Sequence, residues 1–256
     1  MNLNNKSNSV FNVKFYDMKS LPTLEAEIRA KSKSQPYFSV IITTYNRAHL
    51  LKRALDSLIS QTEPDWEAII VDDESTDDTY AQIIPYLSSF TQIKYYRKKH
   101  GGEVATKNAG ISFSNGEFIT FLDSDDEYDP DHLKTRKIIL GFNPSVRFLY
   151  GGVRIIGNQY VPDRFDYSRK INLNECVIGG TFFIERLTLI KLNGFAEINL
   201  GTDAALFERA RNEALPVKET KIPTYIYHHE NEDSITNMLI KSNPELVPSL
   251  NEMNQD

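Results

Sequence analysis

The chain has a single cysteine, Cys176, among 256 residues, so it cannot form an internal disulfide, and a reducing, cytoplasmic setting is expected. No uninterrupted apolar run approaches the ~18 residues of a membrane span. Met1 to Asn5 are polar and no apolar stretch follows them, so a secretory leader is not expected either. Peripheral contact with the inner face of a membrane stays open, as does a homodimer. No basic tract stands out beyond Arg97-Lys98-Lys99, and the formal net charge is -6, so nucleic acid is not an expected partner. An acidic protein that handles a phosphorylated ligand usually needs a cation between the two, because bare carboxylates repel phosphate.

What is present is the material of one large α/β domain: 40% hydrophobic and 25% charged residues, long enough to bury a core without disulfides. Residues 1–36 read as an N-terminal extension, with a short helix from Thr23 to Lys33 and a stop at Pro36. From Phe38 a regular alternation begins. Buried strands are expected at Phe38–Thr43, Trp66–Val71, Ile93–Tyr96 and Phe118–Leu122. Helices are expected at His49–Gln61, Thr76–Leu87 (with Ser75 as N-cap) and Val104–Ser112. Strands alternating with helices imply a mostly parallel, Rossmann-like sheet flanked by helices. After Asp131 the pattern loosens. His132–Leu140, Thr181–Leu192 and Asp203–Ala214 read as helices, Phe148–Val153 and Ile222–His228 as strands, and Arg154–Asn174 as a polar loop. The expected organisation is therefore an extension (1–36), a first half (37–135), a second half of the same domain (136–238) and a polar tail (239–256).

In an open parallel sheet, ligands bind beyond the carboxyl ends of the strands. Two of those ends are crowded with acids. The second strand runs into Asp72-Asp73-Glu74-Ser75-Thr76-Asp77-Asp78, and the fourth into Asp123-Ser124-Asp125-Asp126-Glu127. Clustered carboxylates repel one another unless a cation or solvent separates them. An Asp-x-Asp after an apolar strand suits a hard divalent ion, Mg²⁺ or Mn²⁺, whose shell is completed by phosphate oxygens and water. The alternative is a solvated acidic turn that caps a helix. The first cluster fits both readings equally, and the second favours metal.

Five stretches in order resemble the family-2 glycosyltransferases, which have the GT-A fold. They are Ser39-Val-Ile-Ile-Thr-Thr-Tyr-Asn46, Ser57-Leu-Ile-Ser-Gln-Thr62, Trp66 through Asp77, Gly101-Gly102 with Lys107-Asn108-Ala109-Gly110, and Asn115 through Asp126. The resemblance is dense over 38–135 and thinner to about 236. It implies an inverting transfer of a sugar from a nucleotide-sugar donor, with UDP the expected carrier, to a saccharide or lipid-linked saccharide acceptor in polysaccharide or glycolipid synthesis. It further implies that Thr43 and Tyr45 line the base pocket and that Asp73 contacts the base. Lys107 would lie near the base or phosphates, Asp123 near the ribose or ion, and Asp125 would be the main metal ligand with Asp126 as the alternative. Two departures stand out. Glu74 occupies a position where the family commonly has glycine, and Lys107 replaces a common arginine, losing its bidentate fork.

Inversion needs a base that takes the acceptor's proton. The family carries an acidic pair at a helix start; here Thr202 replaces the first acid, and Asp203 keeps the second position as the expected base, ahead of Glu208. On spacing alone, Asp203 reads first as an acid placed at a helix N-terminus, and it is the resemblance that favours the base. Gly179-Gly180 is either a close approach to the donor sugar or a plain turn. By resemblance a histidine near His228-His229 sits close to the metal or diphosphate, which makes His229 a candidate ligand; a solvated histidine is the plainer reading. Tyr225, Tyr227 and Phe207 read as core. Two other functions remain in view. A degenerate, non-catalytic sugar-nucleotide-binding protein is motivated by Thr202 and Lys107. A sugar nucleotidyltransferase would need a glycine-rich phosphate loop after the first strand, where this chain has Thr43-Thr-Tyr-Asn-Arg-Ala.

Overall fold

The computed structural model describes residues 35–166, 169–198 and 201–230. The expectations for residues 1–34 and for the tail from 239 lie outside the described residues. The described residues from Pro36 onward belong to one compact unit.

The first strand, β1 (Phe38–Thr44), is buried along nearly its whole length, which is what a central strand covered on both faces requires. Its side chains alternate between the faces. Phe38, Val40 and Ile42 pack with Leu51, Ala54, Leu55 and Leu58 of α1 (Ala48–Ile59). Ile41 packs on the other face with Ile69 and Val71 of β2 (Trp66–Asp72). The chain continues through α2 (Thr79–Ser89), β3 (Ile93–Arg97), α3 (Gly102–Phe113) and β4 (Phe118–Phe121). All four strands run parallel, and β1 lies between β2 and β4. The chain winds outward from β1 to β3, then returns to the other side of β1. The crevice beyond the carboxyl ends of β1 and β4 is thus the switch point of the topology, where open α/β sheets bind ligands.

The second half extends this sheet and adds a smaller one. After β5 (Glu127–Tyr128), α4 (His132–Gly141), β6 (Phe148–Tyr150), β7 (Val153–Gly157), β8 (Tyr160–Pro162) and β9 (Lys170–Asn172) come β10 (Phe183–Glu185), α5 (Arg186–Lys191), α6 (Thr202–Asn212), β11 (Val217–Glu219) and β12 (Tyr225–His229). The large sheet has the order β11-β6-β10-β4-β1-β2-β3, and β5-β12-β7 form the second sheet. β10 pairs antiparallel with both β4 and β6.

Three expectations change here. Thr181–Leu192 is not one helix: Phe183–Glu185 is a strand between two others, and only Arg186–Lys191 is helical. Tertiary pairing overrides the helical spacing, because the run Phe182-Phe183-Ile184 is buried on both sides. Arg154–Asn174 is not loop throughout, since it holds most of β7 and all of β8 and β9. Their polarity reflects exposure along one edge. Ser75 does not cap α2. The N-cap is Asp78, and the Ser75 hydroxyl accepts the Asn46 N–H at 2.9 Å.

Candidate active site

Beyond β1 and β4 lies a cavity of about 1050 Å³. Of the nine residues singled out from the sequence, seven line it: Thr43, Tyr45, Asp73, Lys107, Asp123, Asp125 and Asp203. Strand order explains most of this. Leu122 N–H makes its bond to the Ile41 carbonyl at 2.9 Å, so Asp123 is the first residue past β4's attachment to β1. Asp72 pairs with Thr44 in parallel register, which carries Asp73 to the same edge.

At one end, the exposed ring of Tyr45 lies against His100, with centroids 4.4 Å apart and planes 31° from parallel. This flat platform is open to a base or another ring. Asp73 stands beside it but is heavily engaged. Its Oδ1 accepts from Lys98 Nζ at 2.6 Å and Gly101 N at 2.9 Å, and its Oδ2 from Gly102 N at 2.8 Å; His100 Nδ1 lies 2.9 Å from Oδ2 and 3.2 Å from the Asp73 backbone carbonyl. Burial works to raise its pKa, but the lysine and the Gly102 N–H outweigh burial and hold the carboxyl below its usual range. The rest of the first acidic cluster also serves the loops. Asp72 binds Ser75 N–H and the Tyr95 hydroxyl, and Asp77 binds Ala48 N–H and Thr79. Between them Glu74 takes a left-handed conformation, φ 72°, the backbone that glycine would adopt without cost. Its carboxylate accepts the His100 N–H at 3.0 Å.

In the middle of the cavity sit Asp123 and Asp125. Lost hydration pushes the Asp123 carboxyl up to about 6; Lys107 opposes this, while Asp125, Glu103 and Asp203 add to it. Asp125 is buried, and its Oδ2 lies 3.1 Å from an Arg47 guanidinium nitrogen. Asp123 and Asp125 are thus two carboxylates lining one cavity, each with a basic side chain bearing on it. Among the described residues no three His, Cys, Asp or Glu groups cluster to hold a metal ion by themselves. That donor set suits an ion such as Mg²⁺ or Mn²⁺, which takes one or two carboxylates and fills its shell with substrate phosphate and water.

Asp126 and His229 do not line the cavity. Asp126 is buried, and both its oxygens have partners in the protein: the Tyr225 hydroxyl at 2.6 Å and His228 N–H at 2.8 Å. It bolts β12 to the acidic loop. Burial first, then Asp125 and Asp123, raise its pKa well above the usual carboxylate range. His229 is buried with Nδ1 2.7 Å from the Asn158 carbonyl. A carbonyl only accepts, so Nδ1 is the donor in that bond. Nε2 has no hydrogen-bond partner among the described residues.

At the far end, Asp203 opens α6. Its Oδ2 accepts Gly179 N–H at 2.8 Å, and Thr202 Oγ1 lies 3.5 Å from Oδ1. Lys107, almost wholly buried, comes up from α3 to 3.8 Å from Asp203 Oδ1.

With this geometry in place, the comparisons with known proteins can be set beside it. The model of glycosyl transferase family 2 matches residues 39–136, the segment that holds β1 to β4 and the acidic loop. A relative from Escherichia coli, the UDP-Glc:alpha-D-GlcNAc-diphosphoundecaprenol beta-1,3-glucosyltransferase WfgD, is 30% identical over 146 residues, covering 55% of this chain and 56% of that protein. The chain thus spans little more than half of that relative's length. Among solved structures, S. aureus TarS 1-349 in complex with UDP-GlcNAc superposes with a TM-score of 0.64 at 24% identity, over 77% of this chain and 60% of that one. The mannosyltransferase PcManGT from Pyrobaculum calidifontis, in complex with GDP-Man and Mn²⁺, gives 0.61 at 19% identity, over 81% and 64%. The fold is GT-A.

Several residues of this site were not placed in it from the sequence. Glu103, His100, Arg164, Phe207 and Tyr227 all line the cavity. Phe207 and Tyr227 read as core because helical and strand spacing places each next to buried neighbours. Their polar or exposed edges depend on which elements face them, and spacing does not carry that. Glu103 has a local signal, because it lies four residues before Lys107 on one helix and so shares its face.

Proposed function

We propose that the protein is an inverting, metal-dependent glycosyltransferase that moves a sugar from a nucleoside-diphosphate sugar, a UDP-sugar first among candidates, to the hydroxyl of a lipid-linked or polysaccharide acceptor. The observation that carries this is the shared cavity: an aromatic platform, a carboxylate pair and a separate carboxylate at a helix start line one space, from residues as far apart in sequence as Tyr45 and Asp203. The relatives' printed substrates and ligands, an undecaprenyl-diphosphate-linked sugar, UDP-GlcNAc, and GDP-Man with Mn²⁺, support the same reading.

In this scheme Tyr45 and His100 stack on the base. Asp73 holds the Gly101-Gly102 turn against it through the backbone hydrogen bonds. Asp123 and Asp125 would hold the divalent ion, whose charge would offset that of the departing diphosphate. Asp126 sets the position of that loop. His229, held at Nδ1 by its bond to the Asn158 carbonyl, lies outside the cavity lining and takes no part in this scheme. Asp203 accepts the proton of the acceptor hydroxyl as its oxygen attacks the anomeric carbon from the face opposite the leaving group. The new C–O bond forms as the sugar–phosphate bond breaks, and the electron pair leaves with the nucleoside diphosphate. The acceptor's anchor would place the enzyme at the inner face of a membrane. No helix of the described residues is long and apolar enough to cross one.

The test is nucleotide release from UDP-glucose and UDP-GlcNAc, with and without Mn²⁺, in the parent and in Asp203→Asn. Release that requires the ion, and that falls by about 10³-fold or more in Asp203→Asn while donor affinity holds, is the expected result. Unchanged turnover in the variant would remove the assigned base. Tight donor binding with no transfer by the parent would favour a binding protein.

A further inference from the structure

Lys107 is an unusual group for the centre of such a site. Its side chain is 4% exposed, and its ammonium lies 2.6 Å from Glu103 Oε1, 3.8 Å from Asp203 Oδ1 and 5.2 Å from the centre of the Phe195 ring. Burial acts to strip its proton, but Glu103, then Asp203 and Asp123, outweigh burial and raise its pKa, so it stays charged. Glu103 and Lys107 are four apart on α3 in the favourable acid-first order. Lys107 in turn is the first cause of Glu103's lowered pKa. The two oxygens of Asp203 are thus unequal. Oδ2 is tied to the Gly179 N–H, and Oδ1 faces an ammonium that is bonded elsewhere.

Coulomb attraction rises as separation falls. A lysine with no other acid at bonding distance would close the last ångström and form a direct pair with Asp203. That contact would occupy Oδ1 and weaken it as a base. We propose that Glu103 is a positioning residue for transfer: it tethers Lys107 beside Asp203, yet off the oxygen that takes the proton. This rests on Asp203 being the base. The other groups bearing on the pair are Asp123 beyond β4, Tyr227 on β12, Arg47 acting on Glu103, and the Thr202 hydroxyl.

The experiment compares pH profiles of kcat for the parent, Glu103→Gln, Lys107→Met, Lys107→Arg and Asp203→Asn, using UDP-glucose or UDP-GlcNAc with Mn²⁺ and a polyprenyl-diphosphate-linked GlcNAc acceptor. Donor affinity is measured separately by calorimetry, and folding by thermal melts. Glu103→Gln is expected to move the acid limb down by on the order of one pH unit and to lower plateau kcat on the order of tenfold, with donor affinity within about twofold. Lys107→Met is expected to move the same limb up, and Lys107→Arg to fall nearer the parent. Opposite signs from two partners of one ion pair are not what a merely structural pair gives. If Asp203→Asn is inactive yet the two limbs stay in place or move the same way, the positioning role is wrong. If Asp203→Asn still transfers, the base itself is wrong, and this inference goes with it.

Discussion

Asp203 owes its orientation to the absence of a side chain opposite it. A Cβ built on Gly179 would lie 2.5 Å from the Asp203 carboxyl carbon and 2.5 and 2.6 Å from its oxygens, well inside contact distance. Gly179 is not among the glycines with positive φ, so alanine fits its backbone, and the atoms nearest its methyl are those of the carboxylate. Gly179→Ala should therefore leave the fold in place and push Asp203 aside by about an ångström. A displacement of that size costs catalysis on the order of 10²-fold. Steady-state kinetics should show kcat falling while the donor's KM holds. A KM effect alone would mean that the glycine serves the donor instead. The dipeptide Gly179-Gly180 stood undecided in the sequence between a close approach and a turn. It is a close approach, but to protein: Gly179 meets Asp203, and a Cβ on Gly180 would overlap the Tyr225 hydroxyl at 2.1 Å.

Among the elements, α6 both supplies Asp203 and shows where its sequence departs from the best local choice. It ends at Asn212, and Ala214 just beyond it takes a left-handed conformation, φ 52°, while Leu215 N–H reaches back to the Ala210 carbonyl at 3.1 Å. Glycine is the residue that adopts this helix-ending conformation without penalty. Ala214 is exposed, so its methyl group gives up little on removal. Ala214→Gly should stabilise the protein by about 1 kcal/mol, seen as a higher urea midpoint at unchanged slope. A lower midpoint would mean that the helix does not end this way. Elements were legible where burial is two-sided and local. The runs Phe38–Thr43 and Trp66–Val71 are apolar because both faces are covered, and the strand observed in each place extends by one residue. β10 and β7 were not legible, because a three- or five-residue strand has almost no period of its own, and its pairing partners lie elsewhere in the chain. The site followed the same division. Asp123, Asp125 and Asp203 stand at strand or helix ends, which spacing marks. The role of Asp126 depends on Tyr225, 99 residues away.

Across the whole molecule, the two sheets meet at a buried histidine. His132 on α4 is 0% exposed; its Nδ1 lies 2.8 Å from Thr224 Oγ1, just ahead of β12. Its ring lies 4.1 Å from that of Tyr128 on β5 and 5.4 Å from that of Phe183 on β10. The large sheet and the small one thus both touch one imidazole. Burial, with Arg136 nearby as a second cause, drives its pKa well below 6.5, so the folded protein holds it neutral. In the unfolded chain the same ring takes up a proton as pH falls through about 6.5. The unfolded state then binds more protons, and linkage makes the native state lose stability toward acid. The stability that depends on a neutral His132 is complete above pH 6.5 and declines below it, by at most about 1.4 kcal/mol per pH unit for one proton. The other four histidines and the carboxylates also titrate, so the comparison is with His132→Phe, which keeps the ring packing and removes the titrating group. Plots of unfolding free energy between pH 6.5 and 5 should be shallower in the variant, whatever its absolute stability. Parallel plots would show that His132 gains its proton without opening the junction between the sheets, and the coupling of the two sheets through that ring would have to be abandoned.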